Sequence, residues 1–219
     1  MSAKNNIKKL SVVLVVPNFK WAAWDVNTNW DFIPYNLCLL AAMIEEEHKV
    51  TILDANKLEL SADAFQQKLI TLQPDVVGIT VLMDQYGPAG HRAVKLSKEC
   101  VPTATTVVGG VYATMNWEKL ITDVCVDIVV RGEGEYTFKQ VLRHLAGSGD
   151  MPSAGVVFRN ENRVINRNRS PFIQDLDQIP MPSYHLIDFL SYTAKGPRRK
   201  SVDIPSVYPY ARMGALRVS

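Results

Sequence analysis

The sequence predicts an α/β protein organised on a doubly wound, five-stranded parallel sheet of flavodoxin-like or Rossmann-like type, in strand order 2-1-3-4-5. Three observations carry this expectation. Short β-branched runs alternate with amphipathic stretches of helical period, and parallel strands need just such helical crossovers between them. Two of the runs end in glycines and pass directly into helix-type segments: Val107-Val108-Gly109-Gly110-Val111-Tyr112-Ala113 and Val129-Val130-Arg131-Gly132-Glu133-Gly134-Glu135. The composition, 47% hydrophobic and 21% charged over 219 residues, suits a globular chain that can bury one good core.

The elements follow in order. Val12-Val13-Leu14-Val15-Val16 is a continuous apolar run of the kind covered on both faces, stopped by Pro17-Asn18. The loop after it carries Trp21, Trp24 and Trp30, and it reads either as a lid packed for stability or as the wall of a large, flat ligand site. Pro34 suits a first helical turn, where its missing N–H has no partner to lose. Leu37, Leu40, Ala41 and Ile44 then share one helical face. Val50-Thr51-Ile52-Leu53-Asp54 is the second strand, and Asp54 can cap the following turn or accept from a ligand hydroxyl. Ser61 caps a second helix with Phe65, Leu69 and Leu72, ending before Pro74. The third strand is Val76-Val77-Gly78-Ile79-Thr80, followed by a polar loop with Met83 and Asp84 and a third helix from about His91 to Pro102. Residues 105–108 form the fourth strand, 117–124 the fourth helix, 127–130 the fifth strand and 136–145 the fifth helix.

Gly147-Ser148-Gly149-Asp150 interrupts the alternation. Two short apolar runs around Asn160-Glu161-Asn162 have hairpin chemistry. A proline-punctuated connector begins at Asp175 and runs through Arg198-Arg199-Lys200. The expected division is a ligand-binding α/β domain over 1–147, a β-hairpin extension over 148–170 and a linker over 171–219.

Net charge is only +2, which gives no case for a nucleic-acid groove. No apolar stretch approaches the length of a membrane span, and the N-terminus lacks the apolar core of a signal peptide, so the cytoplasm is the expected compartment. Cys38, Cys100 and Cys125 are far apart and read as small buried residues, not as a disulfide framework or zinc site. His48, His91, His144 and His185 read as surface residues and not as metal ligands.

Ligands of open α/β sheets bind outside the carboxyl ends of the strands, where glycines let a ligand approach the backbone. The candidate contacts are therefore Asn18 after the first strand, Thr80, Met83 and Asp84 at the third, Gly109, Gly110, Val111 and Tyr112 at the fourth, and Gly132, Glu133 and Gly134 at the fifth. A dinucleotide fingerprint would place Gly-x-Gly-x-x-Gly directly after the first strand, where Pro17-Asn18 stands. Gly132-Glu133-Gly134 is on the last strand and has Thr137 in place of the third glycine.

Several of these segments together resemble the N-terminal half of the cobalamin-dependent (B12-binding) radical SAM proteins. The resemblance rests on the first strand ending in Pro17, on Pro34 opening a helix with Leu39-Leu40-Ala41-Ala42, and on Thr51-Ile52-Leu53-Asp54-Ala55. It continues through Pro74-Asp75-Val76-Val77-Gly78-Ile79-Thr80, the Gly109-Gly110 loop, Arg131-Gly132-Glu133-Gly134-Glu135, and Leu176-Asp177-Gln178-Ile179-Pro180-Met181-Pro182. It implies a domain that binds cobalamin and presents it to a radical SAM catalytic domain for methyl transfer or radical rearrangement. That domain would hold a [4Fe-4S] cluster and S-adenosylmethionine. The cluster-binding Cys-x-x-x-Cys-x-x-Cys loop of the family does not occur in these 219 residues. The chain is therefore expected to be an isolated or truncated module that cleaves no S-adenosylmethionine by itself. Nor does Pro17-Asn18-Phe19-Lys20-Trp21 contain the Asp-x-His-x-x-Gly motif that supplies a cobalt ligand in other cobalamin domains.

The resemblance also implies that the Gly109-Gly110 loop lies against the cofactor's nucleotide tail, so that Gly110→Val would weaken cobalamin retention and leave the fold intact. Arg131 is expected to pair with Glu133 or Glu135, with the Glu133 side chain facing the ligand edge. Two other readings stand beside this one: a stand-alone flavodoxin-like domain for a nucleotide or flavin, and a fragment that binds nothing.

Overall fold

A computed structural model of the chain describes residues 8–21, 32–161 and 163–193. The strands are β1 (Ser11–Val16), β2 (Lys49–Asp54), β3 (Val76–Thr80), β4 (Thr105–Gly109), β5 (Ile128–Val130), β6 (Val156–Asn160) and β7 (Arg163–Asn166). They form one sheet in the order β2-β1-β3-β4-β5-β6-β7. The first five are parallel, in the order 2-1-3-4-5 that the alternation of strands and helices predicts. The hairpin is no appendage: β6 pairs antiparallel with β5, with Val129 opposite Val157, and β7 pairs with β6. The physical reason is the edge that the three-residue β5 would otherwise leave unpaired.

The helices are α1 (Tyr35–Ile44), α2 (Ala62–Leu72), α3 (Gly87–Cys100), α4 (Val111–Met115), α5 (Trp117–Thr122), α6 (Glu135–Leu145) and α7 (Phe189–Thr193). Ser61 Oγ accepts from Ala64 N at 3.1 Å, the N-cap that the sequence announces. The expected fourth helix is α5, and a short helix not expected from the sequence, α4, precedes it, because the glycine loop turns into helix immediately after Gly110.

Strand alternation sends successive side chains to opposite faces, and two cores result. Val13, Val15, Val77, Ile79, Val108 and Val129 pack under α2, α3, α4 and α5 with Phe65, Leu69, Val94 and Leu120. Val12, Leu14, Val76, Val107 and Val130 face α1 and α6, with Leu37, Ala41, Ile44, Phe138 and Val141. On this second face β3 presents Gly78 between Val76 and Thr80, so its central position has no side chain to fill the space.

Glu47, just beyond α1, clamps α1 to α6. It accepts from Arg143 at 2.7 Å and meets Lys139 Nζ at 3.0 Å. The hydrogen bond from Arg143, with help from Lys139, holds the Glu47 carboxyl at about 2 against an ordinary 4.5. A depressed folded-state value stabilises the fold above the ordinary value and is lost as pH falls through the folded one. Glu47→Gln should therefore cost on the order of 1–2 kcal/mol near neutral pH, after discounting for solvent screening. Denaturant titrations of the two proteins should converge as pH is lowered from about 4.5 towards 2. A difference that persists unchanged at pH 2 would rule out the ion-pair origin.

Not every side chain lies where the sequence places it. His48 is buried, its Nδ1 accepting from Leu10 N at 3.4 Å, because the turn after α1 folds it under β1. His91 is half-buried against Asp123 at 2.7 Å, whereas His185 is exposed, as the sequence places it, and meets Glu45 at 3.2 Å. Cys38 is buried, and burial pushes its thiol up to about 11. Cys100 and Cys125 are only half-buried, since both sit where helical segments end at the rim of the core. Among the described residues no three His, Cys, Asp or Glu side chains gather as a metal site, and no helix is long and apolar enough to cross a membrane.

The described part of the expected linker is packed. Ser183 N donates to Cys38 O at 3.0 Å and Ser183 Oγ to Glu45 at 2.8 Å, while Ile179 joins the α1–α6 core. The segment then reaches the carboxyl end of β2, where Tyr192 Oη donates to Asp54 Oδ2 at 2.8 Å. Trp24, Trp30 and Arg198-Arg199-Lys200 lie outside the described residues.

Candidate functional site

The missing side chain of Gly78 marks the floor of a cavity of about 240 Å³ between the sheet and the α1–α6 layer. Leu14, Val107 and Val130 form the rest of its floor, Leu37 and Leu40 of α1 and Phe138 of α6 its roof. A Cβ at position 78 would lie 3.0 Å from Leu14 Cδ2 and 3.4 Å from Phe138 Cζ. The walls are apolar, and the polar groups gather at the carboxyl ends of β3, β4 and β5: Asn36, Thr80, Gly109, Gly110, Gly132, Glu133, Gly134 and Glu135. Such a slot takes a flat, largely apolar group and meets polar atoms at its entrance.

Six of the candidate contacts thus come together in the lining: Thr80, Gly109, Gly110, Gly132, Glu133 and Gly134. Thr80 Oγ1 accepts from Asn36 Nδ2 at 2.7 Å. Met83 and Asp84 are exposed beyond β3, and Val111, the first residue of α4, is exposed beyond β4 with 62% of its surface free. Asp84 accepts from Asn116 Nδ2 at 2.8 Å. Asn18 and Tyr112 are not part of the lining. Asn18 is buried, donating to Leu60 O and accepting from Lys20 N, both at 3.0 Å, so it ties the loop after β1 to the loop after β2. Tyr112 turns its ring under α3, against Gly87, where a Cβ would come within 2.6 Å of it.

The two adjacent glycines of the β4 loop differ. Gly110 has φ +100°, and a Cβ there would lie 2.5 Å from the Val81 carbonyl oxygen, which accepts from Tyr112 N at 3.1 Å. Its glycine is required by the protein's own backbone. Gly110→Val is therefore not the binding-only substitution that the sequence suggests. Gly109 lines the cavity, and the nearest atom to a Cβ there is Val130 Cβ at 4.0 Å, so its space is open.

The Arg131–glutamate pair does not form. Arg131 donates to Asn166 Oδ1 at 2.9 Å and lies over the Trp117 ring, because pairing of β6 and β7 with β5 brings Asn166 within reach. Glu133 Oε2 accepts from Ile173 N at 2.5 Å, which ties the glycine loop to the segment after β7. Asp54 Oδ1 accepts from Lys57 N at 2.8 Å, the turn cap considered from the sequence. Trp21 packs on Phe65 and donates to Leu60 O at 2.9 Å, which is stabilising packing at the sheet edge.

Sequence reasoning passed over Asn36, Gly78 and Glu135 as site residues. Gly78 carries a usable signal, since a glycine in the interior of a buried strand marks close approach by something else. Asn36 carries none, because first-turn polar residues are common in helices of every function, while Glu135 belongs to the Arg131–Glu135 segment that carries the resemblance but is not singled out within it.

The family described as the B12 binding domain matches residues 26–142. An uncharacterized methyltransferase of Pyrococcus horikoshii is 32% identical over 192 residues, covering 87% of this chain and 41% of that protein. An anaerobic magnesium-protoporphyrin IX monomethyl ester cyclase of Rubrivivax gelatinosus is 28% identical over 209 residues, covering 90% and 36%. The chain thus spans about two fifths or less of the length of these relatives. Among solved structures, the cobalamin-dependent S-adenosylmethionine radical enzyme OxsB, with aqua-cobalamin and S-adenosylmethionine bound, superimposes with a TM-score of 0.66. That match has 19% identity and covers 81% of this chain and 24% of that one, a likeness of fold.

Proposed function

This chain belongs to the B12-binding domain family, and from that premise we propose that it seats the nucleotide tail of cobalamin in the slot between the sheet and α1–α6. The corrin then lies outside, over the carboxyl ends of β3, β4 and β5. The observation that carries the reading is the slot itself: an apolar cavity of about 240 Å³ with Gly78 in its floor and Gly109 among its lining residues. That volume suits one flat bicyclic base and is far too small for a corrin. Leu14, Leu37, Val107 and Phe138 would enclose the base, and the polar entrance would meet the sugar and phosphate that join it to the macrocycle. Met83 beyond β3 and Val111 at the start of α4, both exposed, offer apolar contact to a corrin face. The described residues that line the slot include no histidine.

Cobalamin supplies the alkyl-transfer or radical chemistry at its cobalt; the chain's part is to bind and orient it. The longer relatives support a second part of the proposal, that the cofactor is presented to a radical SAM domain of the whole protein, which would carry the [4Fe-4S] cluster and S-adenosylmethionine. Among the described residues, Tyr192 reaches Asp54 at the carboxyl end of β2, the same edge of the sheet on which the slot opens. The test is incubation with hydroxocobalamin, desalting and visible absorbance. About one equivalent of retained corrinoid is expected, and no retention would overturn the reading. Retained flavin or nicotinamide in a parallel incubation would favour the nucleotide-binding alternative.

A further inference from the structure

Glu135 is the first residue of α6 and lines the slot. Its Oε2 is buried and has no hydrogen-bond partner among the described residues. Burial pushes its carboxyl up, the backbone N–H groups of Glu135 and Gly134 draw it down, and the nearby Glu133 charge pushes it further up. The other polar side chains of the entrance have partners: Asn36 and Thr80 bond each other, and Glu133 takes the amide of Ile173. The nearby cation does not pair with it: Arg131 bonds Asn166 and lies over Trp117, and its own Nε is likewise buried without a partner among the described residues. A buried acceptor left without a donor destabilises a fold, and such strain is retained where a ligand relieves it.

We propose that Glu135 accepts a hydrogen bond from a sugar hydroxyl of the corrinoid's nucleotide tail. It thereby makes the slot select corrinoids that carry a ribose-linked base over those that lack one. The inference rests on the cobalamin reading. An apolar slot with one buried acceptor at its entrance needs a ligand that is flat and apolar at its tip and bears a donor just behind it. A nucleoside has that order of groups, whereas the amide arms of the corrin stay with the macrocycle outside.

Hydroxocobalamin and cobinamide, which has no nucleotide tail, are titrated into the wild type, Glu135→Gln and Glu135→Leu, and the ligand-free proteins are melted. Glu135→Leu should bind cobalamin roughly 10–100-fold more weakly, the range set by one hydrogen bond to a charged group. Glu135→Gln, which keeps an acceptor oxygen, should lose about 3–10-fold, less than the leucine variant because a neutral acceptor bonds less strongly. Cobinamide affinity should be the same in all three. The ligand-free leucine variant should melt at the wild-type temperature or about 2–4 °C above it, since the unpaired group is gone. Wild-type cobalamin affinity in Glu135→Leu would overturn the proposal, and so would an equal loss for both corrinoids. A lowered melting temperature of the ligand-free leucine variant would assign Glu135 to the fold instead. Failure of the wild type to bind either corrinoid would sink the cobalamin reading as well.

Discussion

Gly109→Leu is expected to lower cobalamin affinity by at least about 100-fold while leaving the fold nearly untouched, because it fills the passage that a preformed pocket needs open. Gly109 ends β4 in the cavity lining, and among the described residues beyond its chain neighbours the nearest atom to the Cβ it lacks is Val130 Cβ, at 4.0 Å. A Cβ at this position therefore meets no backbone among the described residues beyond its chain neighbours. Equilibrium dialysis with hydroxocobalamin, beside a thermal melt followed by circular dichroism, separates binding from folding. Wild-type affinity in this variant would mean that the tail does not enter past Gly109. Gly109→Ala is the graded control, and its smaller side chain should cost much less.

Gly110→Val, one residue further on, should do the opposite and unfold the domain. Its φ of +100° is strained for any L side chain, and a Cβ would stand 2.5 Å from Val81 O and 3.1 Å from Val81 N. The contact is with backbone, which has no rotamer to escape into. It also sits where Val81 N donates to Gly109 O at 2.9 Å and Tyr112 N to Val81 O at 3.1 Å, bonds that join the ends of β3 and β4. Backbone strain and overpacking together should cost about 3 kcal/mol or more. The melting temperature should then drop by roughly 10 °C or the protein should become insoluble. A folded Gly110→Val protein with lost cobalamin binding would reverse the assignment and return this glycine to the ligand.

The contrast between these neighbours shows how far sequence reasoning reaches. Two glycines after a buried strand read in the sequence as a place where a ligand approaches the backbone. The pattern alone does not say what approaches. At Gly110 the neighbour is the carbonyl of Val81, at Gly109 it is open space. The same holds for the Arg131 to Glu135 segment. Its charges read as a local ion pair, but the guanidinium goes to Asn166 on β7 and Glu133 to the amide of Ile173, so Glu135 is left with an unpaired oxygen.

By itself the sequence determined the class of fold, the parallel order 2-1-3-4-5, the hairpin and the edge of the sheet at which a ligand site would lie. These follow from short-range rules: alternation of strand and helix periods, handed crossovers, and turn residues at strand ends. Only the tertiary structure decided that the hairpin continues the sheet, that Gly78 faces α1 and α6 and so opens the slot, and which polar groups at its entrance are already committed. Those facts depend on pairings between residues far apart in the chain, Asn36 with Thr80, Glu133 with Ile173 and Arg131 with Asn166. No local pattern in the sequence encodes such partners, because each side chain's bond is settled by what the packed elements bring within about 3 Å of it.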